Sequence, residues 1–146
     1  MTPIELLKHQ MKGSCECALI TSAVNRRYFT GMKSTAGTVV VFPDAAYLII
    51  DFRYIERARK TVKDCEVVLQ KSGGWLYQQI NELCAERGVS EIAVEADTMT
   101  LAEADELSGK LDYKLDRSRA LSELIGEIRV IKTPEQIEKV IEAQRI

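Results

Sequence analysis

Apolar residues along the chain change repeatedly between helical and extended spacing, and this change predicts an α/β domain. Ile4, Leu7 and Met11 recur at helical spacing over residues 3–12, and Gly13 is the predicted helix end. The same spacing predicts further helices over residues 51–62, 75–87, 100–109 and from 118 onward. Short apolar or β-branched runs predict strands at residues 15–21, 38–42, 45–50, 65–70, 91–95 and 112–116.

The clearest strand pair is the segment GTVVVFPDAAYLII, residues 37–50. Two apolar runs flank Pro43-Asp44, a dipeptide that is typical of tight turns, so this pair is predicted to be antiparallel. The remaining strand–helix–strand units favour parallel pairing. The sequence therefore predicts a three-layer α/β domain with a mixed sheet of about six strands, one antiparallel hairpin and helices on both faces.

The last residues of the chain contain the sequence signals that begin a helix but none of the signals that end one. Thr133 suits an N-cap, Pro134 suits the first helical position, and Gln136 completes a capping box with Thr133. An apolar stripe follows at Ile137, Val140 and Ile141, and no Gly, Asn or Pro comes after it. The pattern therefore predicts a helix that begins near residue 133 and for which the sequence contains no end signal.

Charge and composition argue against a nucleic-acid-binding surface and against a membrane-spanning segment. The chain has 146 residues, 29% of them charged, and a formal net charge of −2 with both signs interspersed. No basic stripe indicates a nucleic-acid surface, and no apolar run approaches the roughly 20 residues that span a bilayer. The amphipathic N-terminus lacks the apolar core of a signal peptide, so we expect a cytoplasmic protein.

Residues for common catalytic chemistry are scarce. His9 is the only histidine, which leaves no Ser-His-Asp or Cys-His arrangement and no His-rich metal site. Neither a P-loop nor a G-x-G-x-x-G motif is present. The four cysteines are interpreted as reduced, mostly buried thiols, although Cys15 and Cys17 would share one face of a strand and leave a metal or redox pair open.

Two segments combine charged and aromatic residues where a strand ends. NRRYFTG (residues 25–31) is either a packed segment with Tyr28 and Phe29 in the core or a binding segment, and the sequence alone leaves both open. DFRY (residues 51–54) is either a binding segment or a helix cap by Asp51 with a surface ion pair of Arg53. Glu95 and Asp97 could flank a metal, but helix capping by Asp97 is favoured.

These segments resemble the N-terminal, creatinase-like domain of the Xaa-Pro peptidases, which are the prolidases and proline-specific aminopeptidases. The resemblance covers essentially the whole chain. It rests on four segments in the family's order: NRRYFTGMKSTAG, DFRY, VEADTMT and IRVIKTPEQIEKVIEAQRI. It implies that residues 1–131 form the creatinase/prolidase N-terminal domain and that residues 132–146 enter a catalytic domain that follows.

The resemblance implies different chemical roles for the two domains. The catalytic domain of such enzymes holds two divalent metal ions (Mn, Co or Zn) on two Asp, one His and two Glu, and cleaves peptides with proline second. The N-terminal domain is expected to hold no catalytic residue, metal or cofactor of its own. It is expected to form one wall of the substrate pocket and much of a homodimer contact. Tyr28, Phe29 and Arg53 are the implied substrate-binding residues, with Arg53 pairing a carboxylate and the two rings stacking on proline.

One departure from the family pattern and one alternative stand beside this hypothesis. The family's Thr before the Asp of the second segment is Ile50 here, which leaves substrate preference open. Because creatinase shares the fold without peptidase activity, the fold alone does not determine the reaction. The alternative is a protein-binding or oligomerisation module of a peptidase-like chain that has lost its metal site.

Overall fold

The structure is a computed structural model that describes residues 2–130. The predicted helix from Thr133 lies outside the described residues. The elements follow in the order α1 (Pro3–Met11), β1 (Ala18–Ile20), α2 (Ala23–Thr30), β2 (Thr38–Phe42), β3 (Ala45–Ile50), α3 (Ile55–Thr61), β4 (Glu66–Leu69), α4 (Leu76–Arg87), β5 (Glu91–Val94), α5 (Leu101–Lys110), β6 (Lys114–Asp116) and α6 (Ala120–Val130).

Six strands form one mixed sheet in the order β4-β3-β2-β1-β5-β6. β2 runs antiparallel to both of its neighbours, and the β3–β4, β1–β5 and β5–β6 pairs are parallel. The predicted hairpin is confirmed, with Val39 opposite Leu48 and Val41 opposite Ala46. All strands except β2 therefore end at one edge of the sheet, which we call the carboxyl edge, and β2 begins there.

Alternating residues of each strand bury side chains in two separate cores. On one face, Val39, Val41 and Ile50 pack with residues of α1, α2, α3 and α6. On the other face, Val40 and Phe42 pack with residues of α4 and α5. The predicted three-layer architecture is confirmed, because the period-two alternation of the central strands divides their side chains between the layers.

Local sequence signals explain where several helices begin and end. Ser22 and Thr100 cap α2 and α5 by accepting hydrogen bonds from the backbone N–H groups of Asn25 and Glu103 at 3.3 and 3.1 Å. Gly31 ends α2 at φ 74°, in the left-handed region that glycine adopts without a steric cost. Thr2 caps α1 in the same way, accepting from the Glu5 backbone N–H at 3.3 Å, so the predicted helix starts at residues 3 and 100 are confirmed.

Three predictions of local structure are wrong. Asp51 does not cap a helix, because α3 begins only at Ile55 and the Asp51 carboxylate binds Arg53 instead. Asp97 does not cap α5, since its carboxylate binds Arg119 and Thr100 takes the cap position. The strand predicted over residues 15–21 is limited to β1, Ala18–Ile20.

The four cysteines are free thiols, and all except Cys15 are buried, as predicted. The Cys17 and Cys84 sulfur atoms lie 3.9 Å apart in the core beneath α4. The Cys15 thiol donates a hydrogen bond to the Cys17 carbonyl at 3.4 Å, and burial raises its pKa to about 11. Thiols in this state are weak nucleophiles at neutral pH, which agrees with a packing role.

Candidate functional site

The carboxyl edge of the sheet carries both of the segments that the sequence singles out. NRRYFTG lies in α2 directly after β1, and DFRY follows β3. In α/β sheets, loops at this edge are where binding residues collect.

Glu95 is the buried anchor of this edge. It follows β5, is 1% exposed, and its carboxylate accepts four hydrogen bonds from the chain that follows β1. The donors are the backbone N–H groups of Thr21 and Ser22 at 2.6 and 2.8 Å, the Ser22 hydroxyl at 2.7 Å and the Asn25 side-chain amide at 2.7 Å. A carboxylate at the first turn of α2 also interacts favourably with the positive end of the helix dipole. Glu95 therefore fixes where α2 begins.

Arg26 is the second buried support and holds the loop of residues 31–37 against α2. Its guanidinium donates to the backbone carbonyls of Thr21, Ser34 and Gly37 at 3.0, 2.9 and 3.2 Å. It also donates to the Ser34 hydroxyl at 3.2 Å. Burial lowers the pKa of Arg26, yet a guanidinium remains protonated at neutral pH.

Gly37 lets the loop approach this arginine closely. Its φ is +132°, which L side chains rarely adopt, and a Cβ there would lie 3.2 Å from Cδ of Arg26. The backbone conformation before β2 therefore favours glycine, and a Cβ there would also require the Arg26 side chain to shift. The loop, the start of β2 and α2 consequently form one hydrogen-bonded unit.

DFRY presents an ion pair at the rim of the edge. Arg53 donates to both Asp51 oxygens, with Nη2 to Oδ2 at 2.7 Å and Nε to Oδ1 at 3.3 Å. These hydrogen bonds hold the pKa of Asp51 below its ordinary value and raise that of Arg53. The Arg53 side chain is 54% exposed, so its remaining donors face solvent.

Tyr54 joins this ion pair to the loop of residues 31–37. Its ring lies 5.3 Å from the Arg53 guanidinium carbon, and its hydroxyl lies 2.6 Å from the Thr35 hydroxyl. The Thr35 backbone N–H donates to the same Tyr54 oxygen at 3.4 Å, and the hydrogen bonds with Thr35 lower the pKa of Tyr54. The Tyr54 ring that contacts Arg53 is therefore hydrogen-bonded to the loop of residues 31–37, which Arg26 holds in place.

Tyr28 and Phe29 form a separate pair. Their rings meet edge to face at 5.1 Å, but Phe29 is 5% exposed and belongs to the core. The half-buried Tyr28 donates from its hydroxyl to the Ile128 carbonyl at 3.4 Å, and Arg129 lies 5.2 Å from its ring centre. Within residues 2–130, no hydrogen bond, ion pair or ring contact joins either ring to Arg53.

The roles of Glu95 and Arg26 are not predicted by the sequence pattern, and neither are those of two exposed aromatic residues at this edge. Phe52 is 79% exposed beside Arg53, and Trp75 is 46% exposed after the Gly73-Gly74 turn. Phe52 stands inside the DFRY segment, and a lone Trp directly after two glycines was an available signal. Glu95 was considered only as a metal ligand.

The described residues offer no metal site and no membrane-spanning element. Among residues 2–130, no group of three or more His, Cys, Asp or Glu side chains is arranged to hold a metal ion. The carboxylates of Glu95 and Asp97 bind protein donors instead, and Arg119 lowers the pKa of Asp97. Within the same residues, every helix is too short or too polar to cross a bilayer.

Comparisons with known proteins agree with this architecture. The model of the Creatinase/Prolidase N-terminal domain matches residues 4–131. An uncharacterized peptidase of Bacillus subtilis, YqhT, is 34% identical over 129 residues, which are 88% of this chain and 35% of that protein. The chain therefore spans about a third of the length of this relative.

Two solved structures of related proteins superimpose on the chain. The Xaa-Pro dipeptidase of Bacillus anthracis matches with a TM-score of 0.80 and 27% identity, covering 93% of this chain and 37% of that one. The N-terminal domain of the cytoplasmic peptidase PepQ of Mycobacterium tuberculosis matches with a TM-score of 0.70 and 26% identity, covering 87% and 98%. With a six-stranded mixed sheet and a family match over nearly all its residues, this chain belongs to the Creatinase/Prolidase N-terminal domain family.

Proposed function

We propose that the chain is the non-catalytic N-terminal part of a metal-dependent Xaa-Pro dipeptidase or aminopeptidase. The observation that carries this proposal is the match of 93% of this chain to 37% of a Xaa-Pro dipeptidase of known structure. We set the domain boundary at residue 131, so that residues 132–146 start the first helix of the catalytic domain. This domain and a second copy of the chain are the expected partners.

Two divalent metal ions (Mn, Co or Zn) in that catalytic domain would supply the activated water and polarise the scissile carbonyl. The N-terminal domain contributes the wall of the pocket that positions the peptide. Arg53 is the best placed of the implied substrate-binding residues, because its guanidinium has free donors at an exposed rim and can pair with a carboxylate.

Tyr28 and Phe29 have different roles in this proposal. Tyr28 is half-buried beside α6 and can offer one ring edge to a proline-containing peptide. Phe29 would reach a ligand only if its ring left the core, so we assign it to holding the Tyr28 ring in place. The hydrogen bonds of Glu95 and Arg26 keep the pocket wall preorganised, which lowers the ordering cost of substrate binding.

A second candidate function is a protein-binding or oligomerisation module of a chain without metal ligands. Exposure of Phe52 and Trp75 at the same edge favours it, because exposed aromatics are enriched at protein interfaces. The gene sequence downstream of Ile146 distinguishes the two functions. A set of Asp, Asp, His, Glu and Glu there supports the peptidase, and its absence supports the binding module.

The experiment that tests the role of Arg53 uses the full-length protein with Mn²⁺ and a Gly-Pro dipeptide. Arg53→Ala is expected to raise KM about tenfold with kcat little changed, since a substrate contact that is equal in ground and transition states acts on binding. Arg57→Ala, a matched exposed arginine on α3, is the control and should behave as the wild type. Equal KM values for the two variants would remove Arg53 from the substrate site.

The surroundings of the proposed enzyme follow from its class. We place it in the cytoplasm as a homodimer acting on proline-containing peptides, with neither nucleic acid nor membrane as a partner. The intermixed charges and the formal net charge of −2 support the exclusion of nucleic acid.

A further inference from the structure

A second concave site lies on the opposite face of the sheet from α2, between α4 and α5. It is a cavity of about 160 Å³ with an apolar floor formed by Leu19, Ile80 and Leu107. Engineered apolar cavities of about 150 Å³ accommodate a benzene ring, so a single aromatic ring fits this space. Nothing in the proposed peptidase role uses this cavity.

The cavity lies where ligands are commonly bound in open α/β sheets. It adjoins Thr21 after β1 and Thr38 at the start of β2, both at the carboxyl edge. After β1 the chain enters α2 on one face of the sheet, whereas after β5 it enters α5 on the other face. Such a reversal between neighbouring parallel strands opens a crevice at their carboxyl ends.

The inner wall carries a hydroxyl group, that of Thr38, which has no hydrogen-bond partner among the described residues and keeps some surface accessible to water. Thr38 is 5% exposed and lies on the same face of β2 as Val40 and Phe42, toward the cavity. No group among residues 2–130 forms a hydrogen bond with the Thr38 hydroxyl. Because no described residue binds this hydroxyl, a ligand that brings a polar group to this position can form a hydrogen bond with it in place of water.

The mouth of the cavity is negatively charged. Glu103 and Glu106 line it from consecutive turns of α5, are exposed, and form no ion pair within the part of the chain that the structure describes. The Lys110 ammonium, at the end of the same helix, lies 5.1 Å from the centre of the Tyr77 ring. A cationic group entering beside Tyr77 would therefore meet two unpaired carboxylates.

We propose that this cavity binds a small hydroxylated aromatic amine. The ring occupies the apolar floor beside Tyr77, its hydroxyl hydrogen-bonds to Thr38, and its ammonium group lies between Glu103 and Glu106. The site is independent of the proposed peptidase role, because it lies in the other helical layer and uses neither Arg53 nor Tyr28.

The test is a titration of the 146-residue chain with the ligand, monitored by two-dimensional ¹H–¹⁵N NMR. The probe is tyramine, and the expected dissociation constant is on the order of 1 mM for a ligand of about ten heavy atoms. The amide signals of Thr21, Thr38 and Leu107 should shift, and that of Arg53 should not. Two matched ligands separate the contacts: phenethylamine lacks the ring hydroxyl, and 3-(4-hydroxyphenyl)propanoate carries a carboxylate in place of the ammonium.

The expected pattern is specific to both ends of the ligand. Phenethylamine should bind about three- to tenfold more weakly than tyramine, the change expected for one lost hydrogen bond. Thr38→Val, which keeps the side-chain shape, should remove that difference. The double substitution Glu103→Gln with Glu106→Gln should weaken tyramine severalfold and leave the neutral analogue tyrosol unaffected.

The control for total charge is Glu56→Gln with Glu127→Gln, two exposed carboxylates in the other helical layer. It should leave tyramine binding unchanged. Absence of shifts at Thr21, Thr38 and Leu107 overturns the proposal. Equal binding of tyramine and the propanoate overturns the role of the carboxylates, and so does equal weakening by the control pair. Because the glutamate variants change only exposed side chains, a folding failure of Thr38→Val leaves this second test intact.

Discussion

Replacing Glu95 by Gln tests whether one buried carboxylate organises the carboxyl edge. The substitution keeps the size of the side chain and an oxygen for two of the four donors, but it removes the charge. It also turns an amide NH₂ group toward the Asn25 amide, which now donates to Oε2 at 2.7 Å. Hydrogen bonds to a charged group exceed neutral ones by about 1 kcal/mol each. The two donors at Oε2 lose their acceptor, although the Ser22 hydroxyl can rotate to accept from the new NH₂ group. We therefore expect a loss of about 3 kcal/mol in the free energy of unfolding.

Urea denaturation of the 146-residue chain measures this loss in the free energy of unfolding. The midpoint should fall with an unchanged m-value, and the melting temperature should fall by about 8 °C for a chain of this length. Asp97→Asn is the matched control: its carboxylate stands two residues away but pairs with Arg119 at an exposed surface, so its midpoint should stay near that of the wild type. A Glu95→Gln variant within about 0.5 kcal/mol of the wild type would refute the reasoning.

Three further predictions concern the same molecule. Arg26→Lys should cost about 2 kcal/mol in urea denaturation, because one ammonium cannot reach the carbonyls that the guanidinium bridges; an unchanged midpoint would contradict this. The Asp51 carboxyl should titrate by NMR below the ordinary aspartate range, so that the ion pair is intact at neutral pH and is lost only as pH falls through this lowered pKa; Arg53→Gln should restore an ordinary midpoint. Alkylation of Cys15 should be slow at neutral pH and accelerate toward its pKa of about 11, whereas rapid modification at neutral pH would contradict its burial.

Features that depend on periodicity and local capping could be predicted from the sequence. The hairpin of β2 and β3 was identifiable because two β-branched runs flank Pro43-Asp44. The buried stripe of α6, Leu121, Ile125 and Ile128, follows directly from helical spacing. These signals lie within a few residues of the structure that they specify.

Features that depend on distant partners could not be predicted. Glu95 meets donors 70 to 74 positions earlier in the chain, so its role appears only once β1 pairs with β5. Asp97 had the chemistry of a helix cap, but its carboxylate binds Arg119, which stands 22 positions later in the chain. Such competition between a local cap and a nearby guanidinium is invisible in a pattern of residue types.

The candidate site shows the same division. Position within the family segments identified Arg53 at the exposed rim, but it did not distinguish the buried ring of Phe29 from the half-buried ring of Tyr28. The difference arises from the phase of α2, whose buried residues are Arg26 and Phe29, one turn apart. A helix in this segment rather than a loop therefore determines which side chains can face a ligand.

Hydrolysis of Gly-Pro in the presence of Mn²⁺ is the measurement that tests the central claim most directly. It should be made on the 146-residue chain and on the full-length protein side by side. We predict turnover by the full-length protein, its loss on chelation of the metal, and none by the chain of residues 1–146. Cleavage by the 146-residue chain itself, or none by a full-length protein that retains the five metal ligands, would contradict the account.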